Sequence, residues 1–373
     1  MKKKRIVIIN DLIIGGGVEN VLYNLLMYLN DKDYDITVMT FRGTREEFYE
    51  LYPANMKYIS CGRFKKSHKR RDFNWFMNNV FHMLYKCYLQ SLKHDVVIAL
   101  KEGVCTKFAS MFNAKKKYSW VHVDYNFLYW TKGTYGTEKK EIKCMQRYNQ
   151  VVCVSEAAKK SVCDVIGNPG NLIVRLNPID VNSILSKAES GQDVFHDKKI
   201  EEGKMLLVSV GRLCQQKGYM RLLECCAKLN QYYDYELWIV GDGPDRDKME
   251  DYICANGLTN VILWGNQENP YPFIEKANWF VSSTFWESYG LAVQEAYVLG
   301  TPVLATTCPA FEECVSSEYG ILVENTTEGL YEGLKRILSN PELQYAYCKQ
   351  RDNRYLCDEM YTKRLEEIEK LWL

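Results

Sequence analysis

Short runs of β-branched and apolar residues alternate with longer segments of helical periodicity along almost the whole chain. In the first half the runs are RIVII (5–9), DITVMT (35–40), DVVIAL (95–100), YSWVHV (118–123), QVVCVS (150–155) and LIVRL (172–176). The second half has MLLVSV (205–210), YELWIV (235–240), NVILW (260–264), NWFVSS (278–283), PVLAT (302–306) and GILV (320–323). Runs that are apolar nearly throughout suit strands covered on both faces. Their alternation with helical segments predicts parallel sheets with crossover helices. Residues 183–203 are polar with weak periodicity and predict a link between two halves. The expected architecture is therefore α/β, with two doubly wound domains, 1–182 and 204–354, facing across a cleft. Ligands of such sheets bind beyond the carboxyl ends of the strands. Tyr361, Leu365, Ile368 and Trp372 recur at helical spacing, so residues 355–373 or so should form an amphipathic helix.

Composition narrows the classes. A length of 373 residues suits about two domains, and 47% apolar with 25% charged residues is an ordinary globular balance. The net charge of +1 supplies no overall field toward nucleic acid or membrane, so no nucleic-acid partner is expected and any such bias must be local. The opening MKKKR looks like the charged region of a signal peptide. However, the apolar run behind it, Ile6 to Ile9, stops at Asn10 and Asp11, short of a signal core. No window approaches the roughly 18 apolar residues of a membrane span. Fourteen cysteines with no C-x-x-C pair read as reduced thiols in a cytosol, so neither a zinc site nor a disulfide framework is expected.

Two glycine-bearing loops carry candidate chemistry. Gly15, Gly16 and Gly17 lie between a strand and a helix, where backbone can approach a ligand and a helix N-terminus favours phosphate; a merely tight turn is the plainer reading. A dinucleotide fingerprint would need glycine at Asn20, and Thr40, Phe41 and Arg42 supply no ribose-binding acid, so NAD is disfavoured. In the second half, Gly211, Arg212, Lys217 and Gly218 sit between a strand and a helix. Two cations there can neutralise a diphosphate, Arg as a fork and Lys as a point charge. A later strand ends in a turn at Gly241, Gly243 and Pro244.

The segment TFWESYGLAVQEAYVLGTPV (284–303) adds Glu287 and Glu295. The apolar pattern Leu291, Val293, Ala296, Leu299 starts a helix near Tyr289 or Gly290, placing Glu287 in the loop before it and Glu295 in its second turn. The two are at most about 12 Å apart along a helix axis. Amides around Ser288, Tyr289, Gly290 and Leu291 lie between them and favour phosphate. The plainer alternative is one carboxylate serving the helix dipole and one solvated.

The order VGRL…KG, VGDGP, ESYGLAVQEAYVLGTPV resembles the retaining glycosyltransferases of family 4. The similarity also takes in Gly15–Gly17 with Glu19, VVCVSEAAK (151–159), NPID (177–180) and NPYPFIEKANWFVSS (269–283), and so spans nearly the whole chain. The resemblance implies the GT-B fold, two Rossmann-like domains, with the last helix crossing back onto the first. It implies a nucleotide-sugar donor, by family frequency a UDP-sugar with GDP next, and an acceptor that is a glycan or lipid-linked. Glu287 would contact donor sugar hydroxyls and Glu295 the ribose. Arg212 and Lys217 would stabilise the leaving diphosphate, with Gly16, Gly17, Gly211 and the 288–291 amides alongside. His122, at the end of YSWVHVDY, matches a catalytically important histidine that would hydrogen-bond the sugar and its leaving phosphate, with Asp124 as a neighbour. No metal or cofactor is implied. The loop TTCPAFEECV (306–315) departs from the family's usual glycine pair, with Pro309 and Ala310 in those places and Glu312 or Glu313 keeping the acid's.

RFKKSHKRR holds six cations in nine residues, Arg63, Lys65, Lys66, Lys69, Arg70 and Arg71. It leads into a helical face through Phe73, Phe76, Met77, Val80, Phe81, Leu84, Tyr85, Tyr88 and Leu89. A solvated loop before a core helix is the plain reading; docking on an anionic membrane or an acceptor diphosphate is the sharper one. The expected place is the cytoplasm, at or near the inner membrane face. A hexosyltransferase of cell-surface polysaccharide biosynthesis is the leading function. A nucleotide-sugar epimerase and a non-catalytic binding module on the same scaffold are the alternatives.

Overall fold

The computed structural model describes residues 3–13, 16–61, 93–191, 195, 203–348 and 358–373. Gly15, the basic stretch 63–71, the helical face through Leu89 and most of 192–202 lie outside these residues. The chain divides into two compact units, Met1–Pro178 with Lys363–Leu373, and Ile179–Thr362.

In the first unit, β1 (Lys4–Asn10), β2 (Tyr34–Thr40), β3 (Lys57–Ser60), β4 (Lys93–Ala99), β5 (Asn113–Val121), β6 (Gln150–Cys153) and β7 (Leu172–Val174) form one sheet. The order is β3-β2-β1-β4-β5-β6-β7, and each pairing is parallel. The second unit orders β8 (Met205–Val210), β9 (Tyr235–Val240), β10 (Val261–Gly265), β11 (Trp279–Ser282), β12 (Val303–Thr306) and β13 (Gly320–Val323) as β10-β9-β8-β11-β12-β13. Both are Rossmann-like, doubly wound sheets. The strand order reverses between β1 and β4 in one and between β8 and β11 in the other, which opens a crevice at their carboxyl ends.

The uniformly apolar runs are buried as expected: Ile6, Ile8, Val97 and Ile98 in one unit, Leu207, Val208, Leu237 and Trp279 in the other. The apolar pattern does not disclose β3, because Lys57–Ser60 is a short, largely exposed edge strand with no apolar face to betray it. Part of the expected link is also ordered. Residues Val181–Ser190 form a helix capped by Asp180, whose Oδ1 accepts the Ser183 amide at 2.9 Å. It buries Val181, Ile184 and Ala188, a helical spacing within an otherwise polar segment. Phe195 stacks on Trp238 and packs edge-on to Phe273, so this residue too belongs with the second unit.

The helix Asp358–Glu369 returns the chain to the first unit. Leu365, Ile368 and Trp372 are buried there, and Glu369 accepts Tyr28 Oη at 2.8 Å and Tyr34 Oη at 2.6 Å. Arg364 donates to the Asn177 carbonyl at 2.9 Å and Lys4 to the Trp372 carbonyl at 3.0 Å.

Candidate active site

In the second unit the topological switch solves a sequence problem. Lys217 and Glu287 are 70 residues apart, yet β8 and β11 are neighbours, so the loops leaving them run side by side. Four hydrogen bonds tie these loops together. Gln216 Nε2 donates to the Trp286 carbonyl at 2.9 Å, and the Phe285 amide to the Gln216 carbonyl at 2.8 Å. Thr284 Oγ1 donates to the Gln216 carbonyl and Ser283 Oγ to that of Lys217, each at 2.9 Å. On this frame Lys217 Nζ and Glu287 Oε1 meet in a direct ion pair, both mostly buried. Burial pushes the Lys217 ammonium down, but the charge of Glu287 and its hydrogen bond outweigh it, leaving the net shift upward. Arg212 is exposed and has no side-chain partner among the described residues. The two cations are therefore in different states, one held in an ion pair and one open to solvent.

The glycines of these loops serve close backbone packing. Gly218 has φ +65°, and a Cβ there would lie less than 3.0 Å from the Ser283 carbonyl oxygen. A Cβ on Gly241 would collide with the Gly211 carbonyl, and one on Gly243 with the backbone of Leu213. The loops after β8 and β9 are thus stacked backbone on backbone, with Gly211 donating to Val240 and Leu213 to Asp242 at 3.0 Å each.

One residue that sequence reading passed over governs this region. Arg221, buried in the helix Tyr219–Leu229, donates to the Ser283 carbonyl through Nε at 2.9 Å and through Nη2 at 2.7 Å. Nη2 also reaches the Thr284 carbonyl at 2.7 Å, Asn325 Oδ1 at 2.8 Å and Thr306 Oγ1 at 3.2 Å. Its guanidinium stacks 3.9 Å from the Phe285 ring centroid. The carboxyl ends of β11, β12 and β13 are gathered on this one cation, and the Phe285–Glu287 turn hangs from it.

The helix carrying Glu295 spans Leu291–Val298, with Gly290 as its cap in the left-handed region at φ 77°, close to the expected start. Ser288 and Tyr289 have interactions of their own, and Leu291 begins the helix. Glu295 lies on its second turn, mostly out of solvent, with a long 3.5 Å contact from Tyr271 Oη. Burial pushes its carboxyl up to about 7, against the smaller opposing effects of Tyr271 and Lys187. In the helix Pro309–Cys314, Ala310 is buried while Glu312 and Glu313 are exposed.

In the first unit, His122 follows β5 directly. Its backbone amide donates to Glu102 Oε2 at 2.9 Å. Burial drives its imidazole down to about 4, despite a hydrogen bond with the Leu100 backbone. Its Nε2 is buried and has no hydrogen-bond partner among the described residues. Glu102 escaped the sequence reading: it is the acid that follows the apolar run of β4, and it is buried. Asp124, also buried, accepts the Asn126 amide at 2.9 Å, and burial raises its carboxyl.

Gly16 caps the helix Gly17–Leu29 in extended conformation, and Gly17 opens it. Beside them is the buried carboxylate of Glu19, which accepts Asn10 Nδ2 at 3.2 Å. Among the described residues no three His, Cys, Asp or Glu side chains gather as a metal would need. None of the described helices is long and apolar enough to cross a membrane.

Residues 15–183 match the family model described as Glycosyltransferase Family 4, and residues 192–354 that of Glycosyl transferases group 1. The chain belongs to the family 4 glycosyltransferases. An uncharacterized glycosyltransferase of Haemophilus influenzae is 25% identical to this family 4 chain, over 96% of it and 95% of the relative. The N-acetylgalactosamine-N,N'-diacetylbacillosaminyl-diphospho-undecaprenol 4-alpha-N-acetylgalactosaminyltransferase of Campylobacter jejuni is 23% identical over 89% of each chain. A Methanocaldococcus jannaschii glycosyltransferase is 28% identical, but the match spans only 42% of that protein. Anabaena HepE, solved with UDP and glucose, superposes with a TM-score of 0.76 at 14% identity, over 98% of both chains. Such neighbours share the GT-B fold of this family 4 glycosyltransferase.

Proposed function

We propose that this glycosyltransferase moves a hexosyl group, with retention, from a nucleoside-diphosphate sugar to a glycan or lipid-linked acceptor in cell-surface polysaccharide biosynthesis. The observation that carries the reading is the Lys217–Glu287 pair at the β8/β11 switch point. A carboxylate and an ammonium side by side suit a ligand that presents hydroxyls next to a diphosphate. The sugar hydroxyls donate to Glu287, while Lys217, with Arg212 swinging in from solvent, takes up the negative charge that develops on the departing phosphate. Gly211 and the 288–291 backbone border the phosphates, and Glu295 receives the ribose hydroxyls. In the first unit, His122, with its buried and unpartnered Nε2, is the residue proposed to serve the sugar and its leaving phosphate. Uridine diphosphate is the proposed carrier, as in the ligand of Anabaena HepE, with guanosine diphosphate second. The chemistry proposed needs no metal.

Incubation of a UDP-sugar with and without acceptor tests the reaction class. Transfer that depends on acceptor supports it; a new sugar nucleotide formed without acceptor points to an epimerase instead.

Glu295 gives a pH signature. With its carboxyl at about 7, the site is mostly protonated at pH 6 and mostly ionised at pH 8. Ribose hydroxyls donate to the ionised form, so affinity for a UDP-sugar should rise about tenfold between those pH values, the ratio of ionised fractions. Calorimetric titration checks this, because the donor's diphosphate diester does not itself titrate there. Glu295→Gln should flatten the profile; an unchanged slope in that variant would remove Glu295 from the ribose site.

A further inference from the structure

Shortly after β4 the chain places a carboxylate out of reach of solvent. Glu102 is 1% exposed. Its Oε2 accepts the backbone amide of His122 at 2.9 Å, and its Oε1 accepts the indole N–H of Trp130 at 3.2 Å. The meeting follows from the sheet: β4 and β5 are parallel neighbours, so the residues that leave their carboxyl ends emerge side by side. Burial pushes the Glu102 carboxyl up overall, while the His122 amide, its own amide, the charge of Lys101 and the Trp130 indole each oppose that rise.

The neighbouring chain is fastened without this group. Thr106 Oγ1 donates to the Lys101 carbonyl at 3.1 Å and bonds Ser119 Oγ at 2.6 Å, tying the loop after β4 to β5. Tyr135 Oη donates to the Gly103 carbonyl at 3.1 Å. The stretch after His122 has its own anchor in the buried carboxylate of Glu141, which accepts Tyr125 Oη at 2.8 Å, Tyr129 Oη at 3.0 Å and Thr131 Oγ1 at 3.2 Å. A further buried carboxylate is costly to keep, and a neutral side chain would close the same gap at less cost.

What Glu102 adds is placement. It grips the main chain of the residue whose ring Nε2 is buried and without a partner among the described residues. Buried polar atoms are nearly always bonded, so this one calls for a partner that the substrate can supply. The second grip is equally close: the Trp130 ring lies against Gly103, where a Cβ would sit less than 3.0 Å from it.

We propose that Glu102 is a positioning residue for the transfer reaction: by holding the His122 amide and the Trp130 indole on one buried carboxylate, it fixes where the His122 ring meets the sugar. This rests on the role proposed for His122 in that reaction.

Glu102→Gln tests it, because an amide accepts through one atom only and turns an N–H toward the second donor. Whichever way the amide lies, the His122 amide or the Trp130 indole then faces a donor. The expected result is a kcat lowered about tenfold to a hundredfold, the effect of a small misplacement at a reacting group. KM for the nucleotide sugar should stay within about twofold, since the donor's own contacts are untouched. Trp130→Phe, at a part-exposed position, frees one end of the same carboxylate and should lower kcat only severalfold. It also removes the competing donor, so Glu102→Gln in that background should regain the kcat of Trp130→Phe alone.

A readout that needs no turnover comes from the protein's five histidines. In magnetic resonance spectra of the histidine-labelled chain, the signal lost in His122→Asn identifies His122. That signal should shift in Glu102→Gln and in Trp130→Phe, and in the double variant it should coincide with that of Trp130→Phe. A His122 signal unmoved in both single variants, or parental kcat in both, overturns the positioning role. A parent chain that transfers no sugar overturns the transfer reading instead, and the histidine signal still decides whether Glu102 places the ring.

Discussion

Lys217→Ala lowers turnover by about a hundredfold to a thousandfold, the usual effect of deleting a group that stabilises charge developing in a transition state. The size follows from where the ammonium sits. It is held at the β8/β11 switch by a loop whose Gly218 admits no side chain, and it is already paired with Glu287. A mostly buried cation in that position acts in a low-dielectric setting, where its field is stronger than on an exposed loop. The variant also leaves Glu287 without its partner, so donor affinity should fall together with kcat. Initial-rate kinetics over a range of donor concentrations checks this. A kcat within about threefold of the parent would take Lys217 out of the chemical step. Arg212→Ala, by contrast, removes an exposed side chain with no partner among the described residues, and should leave the fold untouched.

Arg221→Met has the largest expected effect on stability. The substitution keeps the stem's volume but removes donors from the Ser283 and Thr284 carbonyls, Asn325 and Thr306. Stripping the Ser283 carbonyl of its Arg221 donors, and weakening the bonding of Thr284 and Asn325, costs about 3 kcal/mol. For a unit of this size that corresponds to a fall of about 6–12 °C in the melting transition. The second consequence is local: the Phe285–Glu287 turn loses its anchor, so nucleotide affinity should drop even below the melting temperature. Differential scanning calorimetry reads the first effect and titration the second. A melt unchanged in Arg221→Met would show that the cation is not what gathers these strand ends.

These two residues also mark where sequence reading succeeded and where it stopped. The strands of both sheets were legible because each is apolar almost throughout, as burial on two faces demands; β3 was not, being an exposed edge of four residues. Lys217 and Glu287, which the structure brings into one ion pair, stood out because each lies in a loop after an unmistakable strand. Arg221 could not. It lies within a helical stretch next to Met220, where a charged residue ordinarily means a solvated face, and only the tertiary fold turns it inward. Glu102 and Glu141 were hidden for the same reason, since burial and partners are not written in local pattern. For Val181–Ser190 the signal was present, an Asp cap followed by Val181, Ile184 and Ala188, but the polar residues between them masked it. Gly241 and Gly243 could be read only as a turn. Their reason for being glycine, a neighbouring loop's backbone, appears once β8 and β9 are side by side.

The β8 and β11 loops of the second unit should bind a nucleoside diphosphate. Calorimetric titration of UDP and GDP into the parent chain, Lys217→Ala and Glu295→Ala tests it most directly. One of the two nucleotides should bind the parent chain, and each variant should weaken it at least about tenfold, the loss of one charged contact. Absence of binding by both nucleotides, or equal affinity in parent and variants, would contradict it.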